Sequence, residues 1–522
     1  MDVRVWYLAI AAITCTGTGL FVAPGPSTPH AVAAPRIRPD FNGDGKADLA
    51  VAGKDSVAVS FGGSTVSEVL RSPNGKDTEF GAALASGDFN GDGFDDLAVG
   101  SPWTSDGEAE HSGAVLVYPG SAQGLLDANG HATPTSLRQG SGGIPGNRER
   151  DDHFGYSLAA GPLSGSAADD LAVGAVGEAL GKQTWAGAVV VLPGSTTGLE
   201  TRKATVLSQA SPGVPGTAER FDRFGSSLAI GDVTGDGDSD LVVGVSGENA
   251  VGMVHVFPGS DRGPQAVGST GVSGTALGLQ PSSLAELDPE DTGQGALFGW
   301  SLTLAEVTGD AVTDVVAGAP YAKVENVEAC GAVAVLAGGP AGIAAGTARV
   351  ITQMSPQVVG GCEKGDTWGW SIAVGDLTGD RHAEVVVGAH GESVGQVPGA
   401  GGFTVLRGGA SGVSGVGSFG VSQNATNVAG TAEKGDGFAW TVQIRDMNHD
   451  GRQDILVGVP GEAAGTNPFG AVHVLLSTPT ARPAKTSYHL SGRSFTDREG
   501  PVYWLGYAIG AVGGGPVATT GR

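Results

Sequence analysis

Basic residues are scarce in this chain of 522: 29 Lys and Arg stand against 54 Asp and Glu, a net charge of −25. Such a polymer repels nucleic acid and anionic lipid and attracts cations, so nucleic-acid partners are set aside. Charge of either sign is itself sparse at 16%, which concentrates the acidity at particular places. There are three cysteines, and aromatics make up only 6%. Beyond the N-terminal region no apolar run approaches the length that crosses a bilayer, so no membrane span is expected in the mature chain. Glycine, by contrast, is abundant, with 91 residues beside 28 prolines. That density disfavours long helices, while 40% hydrophobic residues suffice for a core. A turn-rich, all-β protein is the expectation.

The N-terminus carries Arg4, an apolar run from Trp6 to Val22, and a Pro/Ser/Thr-rich stretch ending in Ala33 and Ala34. This order reads as a secretory signal over residues 1–33, the alternatives being an anchor or a lipidation site at Cys15. A secreted, extracellular protein is therefore expected. Its two remaining cysteines, Cys330 and Cys362, would meet an oxidising compartment, and a single disulfide is the natural inference. A buried pair of free thiols is the alternative.

One pattern recurs along the chain. Asp88-Phe-Asn90-Gly-Asp92-Gly93-Phe-Asp95-Asp96 leads into an apolar run, and the frame returns at Asp40, Asp232, Asp376 and Asp446, more weakly at Glu306 and Pro162. From the second copy onward the spacing is 70 or 74 residues, which suits a propeller blade with generous loops. An aromatic residue, usually followed by glycine, precedes each loop from the second onward, as at Phe80-Gly81, Phe298-Gly299 and Trp368-Gly369. A Gly-Ala-Pro-like turn follows, such as Gly318-Ala319-Pro320, and then a third and a fourth apolar segment. Four short strands per unit is blade architecture. The first copy lacks an opening strand, whereas Trp504 to Ile509 supplies an opening strand without a blade. Pairing the two gives an all-β, seven-bladed β-propeller over residues 34–522, closed by the C-terminal strand. Blade 1 comprises 34–73 with 503–511, and blades 2 to 7 span about 78–141, 152–212, 222–285, 296–356, 366–424 and 436–492.

Oxygen-bearing side chains at the first, third, fifth and ninth positions of a tight loop form the ligand set of a hard divalent cation, with a backbone carbonyl at the seventh. The intact sets are Asp40, Asn42, Asp44, Asp48; Asp88, Asn90, Asp92, Asp96; Asp232, Thr234, Asp236, Asp240; and Asp446, Asn448, Asp450, Asp454. Asp376, Thr378, Asp380 and Glu384 keep the oxygens but place Arg381 where the sixth-position glycine belongs. Glu306, Thr308, Asp310 and Asp314 lack that glycine too, and Pro162, Ser164, Ser166 and Asp170 read as an empty turn. About four to six Ca2+ sites follow. The alternative is a set of Asx turns held by side-chain to backbone hydrogen bonds without metal. An EF-hand is excluded, because its twelfth-position Glu is replaced by Val51, Val99, Val243 and Val457.

These segments together resemble the FG-GAP repeat family, the propeller of integrin α subunits and of many secreted bacterial proteins. The resemblance implies seven blades, with Ca2+ in the loops between first and second strands, opposite the usual ligand surface. Adhesion, its role in integrins, carries over weakly, since no leg domains follow here.

On the other face two acidic series recur: Glu178, Glu248, Glu392 and Glu462 after the Gly-Ala-Pro-like turn, and Glu149/Asp152, Glu219/Asp222, Glu363/Asp366 and Glu433/Asp436 before the blade-opening aromatic. They read as an acidic rim for a cationic partner or as solvated loops capping backbone amides. Blade topology brings Cys330 and Cys362 to that same face. Trp300, Trp370, Trp440, Tyr156 and Tyr507 stand two residues after a strand opener. Strand alternation favours packing between blades over a sugar-stacking platform. The ten histidines are scattered, and no hydrolase motif is present. A calcium-binding, non-catalytic binding or adhesion module is expected, monomeric, with an unknown extracellular protein or glycan as partner. The alternative is an extracellular hydrolase or lyase using the acidic face, though an active site needs an asymmetric constellation.

Overall fold

The computed structural model describes residues 39–512 apart from 63–66, 74, 76–77, 108, 285–294, 464–466 and 498–499. The expected signal segment over residues 1–33, Cys15 within it, and the tail from residue 513 lie outside the described residues. Seven antiparallel sheets form the ring, each a blade of four main strands. Blade 3, for example, runs Phe154–Gly161, Asp170–Ala175, Ala188–Leu192 and Thr205–Leu207. The second strand is buried along its whole length in every blade from the second to the seventh, as in Asp240–Val245 and Asp454–Val459. Valine dominates these strands because β-branched side chains pack on both sides of a sheet wedged between neighbours. The blade-opening aromatics Phe154, Phe224, Phe298, Trp368 and Phe438 are fully buried in clusters that cross from one blade to the next.

The glycine of the Gly-Ala-Pro-like turn has a packing reason. A Cβ added at Gly100, Gly174, Gly244, Gly318 or Gly458 would overlap the carbonyl oxygen of Gly155, Gly225, Gly299, Gly369 or Gly506 in the next blade. Backbone rests against backbone there, leaving no room for a methyl group. Gly318→Ala is expected to destabilise the protein by about 1–3 kcal/mol through overpacking, read as a shift in a urea melt without a change in slope.

Blade 1 draws on both ends of the described chain. Its strands Leu49–Gly53, Ser56–Ser60 and Ser67–Arg71 are joined by Ala508–Ile509, with Val51 opposite Ile509 and Ala52 opposite Ala508. Leu505, Ile509, Val502 and Phe495 are buried against Leu49, Val51, Leu456 and Val472 of blades 1 and 7. The buried Arg445 of blade 7 donates to the carbonyl oxygens of Asp48, at 3.3 Å, and Gly510. Ala511–Val512 then runs on to pair in parallel with Ala85 and Ser86 of blade 2, a contact that no repeat pattern announces.

Candidate functional site

The repeated loops join first and second strands in blades 2 to 7, and the Asp40 loop leads directly into Leu49–Gly53. Their first carboxylate collects backbone N–H groups from the fifth and sixth positions. Asp40 accepts from Asp44 and Gly45 at 3.1 and 2.9 Å, Asp88 from Asp92 and Gly93 at 3.1 Å each, and Asp446 from Asp450 and Gly451 at 3.2 and 3.0 Å. Asp232 and Asp376 do the same in their loops. The third-position Asn42, Asn90 and Asn448 accept from the fifth-position N–H. The fifth-position Asp44, Asp92, Asp236, Asp380 and Asp450 each accept from the N–H two residues on. Thr234 donates its hydroxyl toward Asp240, whereas Thr378 turns toward Asp376. The sixth position is left-handed in every loop but that of blade 3, at φ 77° for Gly45 and 85° for Gly451; Arg381 and Ala311 hold it at 70° and 69° without being glycine.

The ninth carboxylate does a different job. Asp48, Asp96, Asp240, Glu384 and Asp454 are fully or almost fully buried and accept from the second-position N–H, in Asp96 at 3.0 Å from Phe89. The other oxygen of Asp96 accepts from Gly120, beyond the third strand, and Asp48, Asp240 and Asp454 reach Gly62, Gly259 and Ser477 likewise. This residue ties the loop to the blade, so its structural role is independent of metal. Burial pushes Asp96 up to about 7 and Asp48 and Asp454 to about 6, partly offset by those backbone donors, and the neighbouring loop carboxylates push in the same upward direction. In the blade 5 loop, one oxygen each of Glu306, Asp310 and Asp314 lies within 4.8 Å of the other two. The donor set of these loops is all oxygen, the class that Ca2+ takes, and a carboxylate oxygen that accepts one N–H retains a second lone pair.

On the opposite face the two acidic series meet in four blades, around a residue that the sequence reading passed over. Gln139, Gln209, Gln353 and Gln423 donate to Glu178, Glu248, Glu392 and Glu462 at 2.6, 2.6, 3.2 and 2.5 Å. Each Gln precedes its Glu by 39 residues, a constant offset that could have revealed the pair. Asp152, Asp222, Asp366 and Asp436 accept the N–H of the Glu three residues earlier at 2.5–2.6 Å. Burial raises Asp152, Asp222 and Asp366 to about 7, with the facing Glu178, Glu248 and Glu392 adding repulsion. These carboxylates are built into the loops as amide caps. Cys330 and Cys362 meet on the same face in a disulfide, with Cα atoms 5.3 Å apart.

The second aromatic series does pack between blades, but not on the face that strand alternation assigns it. Gly299 and Gly369 are left-handed, and the N–H of Trp300 and Trp370 turns back to Leu297 and Thr367, so the side chain two residues on does not follow the first into the core. Trp300, Trp370, Trp440 and Tyr507 instead form an arc across blades 5, 6, 7 and 1, with successive ring centroids 4.9, 5.1 and 5.8 Å apart. His390 sits against Trp370 and Trp440 at 4.3 and 4.8 Å. The rings of the arc are half-buried, and Tyr507 is exposed. Tyr156 stands at the equivalent position in blade 3.

The comparisons agree with this architecture. The FG-GAP repeat matches at residues 80–118, 224–257, 298–336, 368–406 and 438–475. The chain is similar to integrin alpha-PS2 of Drosophila melanogaster, 28% identical over 248 residues, which is 46% of this chain and 15% of the integrin. Integrin alpha-7 of Rattus norvegicus is 32% identical over 187 residues, 35% of this chain and 14% of that protein. Phosphatidylinositol-glycan-specific phospholipase D of Bos taurus is 29% identical over 174 residues, 32% of this chain and 19% of the enzyme. The matched stretch thus spans less than a fifth of each relative's own length. Five of the seven blades thus carry a match to the FG-GAP repeat, and the stretches shared with the integrin α chains are similar in sequence.

Proposed function

We propose that this chain is a secreted, calcium-stabilised propeller of the kind found in bacterial FG-GAP proteins, acting as a non-catalytic binding module for an extracellular protein or glycan. The single observation that carries the reading is the arc of Trp300, Trp370, Trp440 and Tyr507, partly open to solvent and continuous from blade to blade. Large aromatic faces contribute most to recognition of proteins and sugars alike when they are accessible and held rigidly. The oxygen-only loops on the other face hold the calcium, and a monomer suffices, because one ring presents the whole arc.

A catalytic reading has one feature in its favour, the buried carboxylates of the upper face, of which Asp152, Asp222 and Asp366 are raised to about 7. Their repetition in blade after blade, each already capping an amide, favours a structural role. Probing a glycan and matrix-protein array beside a hydrolase screen separates the two. Binding is expected without turnover, and Trp370→Ala is expected to weaken it by about 2 kcal/mol, roughly thirtyfold. Turnover abolished by Glu248→Gln would overturn the reading.

A further inference from the structure

The histidines that look scattered in the sequence are not all scattered in space. His111 follows the second strand of blade 2 and His153 opens blade 3, and Asp151 lies between them. One ring nitrogen from each histidine and one Asp151 carboxylate oxygen lie within 4.8 Å of one another. His111 Nδ1 is 3.0 Å from Asp151 Oδ1, and His153 Nδ1 is 2.8 Å from the Asp151 carbonyl oxygen. A carbonyl only accepts, so His153 carries its proton on Nδ1 and Nε2 is the basic nitrogen, an arrangement that orients metal-binding imidazoles. The two rings are stacked at 6.0 Å, with Trp103 against both and Trp185 against His153 at 4.9 Å. The side chains of His111 and Asp151 are 35% and 33% exposed, so the cluster opens to solvent.

The repeat itself does not require these residues. At the place of His111, the later blades carry Trp185, Ala250, Ala329 and Gly399; at that of Asp151, Phe221 and Gly365; and at that of His153, Arg223 and Thr367. The backbone is nevertheless the same. His153, Arg223 and Thr367 are left-handed at φ 54°, 58° and 58°, and their N–H groups reach the carbonyls of His111, Trp185 and Ala329 at 2.9–3.1 Å. The fold thus supplies the scaffold, and blade 2 with blade 3 has placed two imidazoles and a carboxylate on it where the sister-blade residues named above are neither.

We propose that His111, Asp151 and His153 form a site for a divalent transition metal of the zinc class, distinct from the oxygen-only loops of the opposite face. Imidazole with carboxylate is the donor set of a borderline cation, whereas Ca2+ takes six to eight oxygens. Three protein ligands leave a coordination position for water or for a donor brought by a partner. The guanidinium of Arg150, 69% exposed and 3.4 Å from Asp151 Oδ2, is the cation that the metal displaces.

The test is a calorimetric titration of the full chain with Zn2+ in excess Ca2+. One equivalent is expected to bind, and His111→Ala or His153→Thr to weaken it at least tenfold. Both substitutions install residues that sister blades carry at those positions, so the fold is preserved, as an unchanged melting curve would verify. The Cu2+-loaded parent is expected to show nitrogen couplings from two imidazoles in its electron paramagnetic resonance spectrum, lost in both variants. Absence of stoichiometric Zn2+, or uptake and spectra that the two substitutions leave unchanged, would overturn the site.

Discussion

Stripping the protein with EDTA is expected to lower its melting temperature by about 10 °C. Each loop filled at a hundredfold excess over its dissociation constant contributes about 2.7 kcal/mol, and four loops together about 10 kcal/mol. A ring of this size unfolds with an entropy that converts each kcal/mol to roughly 1 °C. The electrostatics point the same way. Asp40 and Asp44 both push the buried Asp48 upward, and Asp88 and Asp92 do so to Asp96, a repulsion that a cation at the loop would relieve. Calorimetric scans with and without chelator, followed by Ca2+ add-back, check the expectation. A melt that EDTA leaves in place, with elemental analysis finding no calcium in the folded protein, sinks the calcium reading and leaves the loops as hydrogen-bonded turns.

Truncation before Tyr503 is expected to cost the ring its cooperative melt. The deletion removes Leu505 and Ile509, buried between blades 1 and 7, and the backbone pairing of Ala508–Ile509 with Leu49–Gly53. It also removes the Gly510 carbonyl from the guanidinium of Arg445. The strand Leu49–Gly53 becomes an unpaired edge, a template for aggregation. The milder Leu505→Ala should cost about 2–5 kcal/mol, as cavities in well-packed cores do. Circular dichroism melts of the two variants measure both effects. A truncated chain that unfolds with the parent would show that the two ends do not need each other.

Much of this architecture is legible in the sequence because propeller motifs are close-range necessities. The glycine of the Gly-Ala-Pro-like turn and the blade-opening aromatic recur since one backbone must approach the next and one ring must fill each gap. The acidic loops are legible as oxygen sets, but not the division of labour within them. That Asp96 braces Phe89 and Gly120 depends on the path of the third strand, which no local pattern encodes. Alternation failed at Trp300 and Trp370 because a left-handed glycine precedes each and breaks the period of two. The pairing of His111 with His153 was within reach: they occupy the same kinds of connection as Cys330 and Cys362, and the reasoning that joins the cysteines joins them too. A constellation that occurs once leaves no period in the sequence to reveal it.

Blade 1 is assembled from segments more than four hundred positions apart, Leu49–Gly53 and Ala508–Ile509. A ribosome delivers the second of these only after the strands of blades 2 to 7 have been made. The circle therefore cannot lock before blade 7 is complete, and its last seam joins the first-made strands to the last.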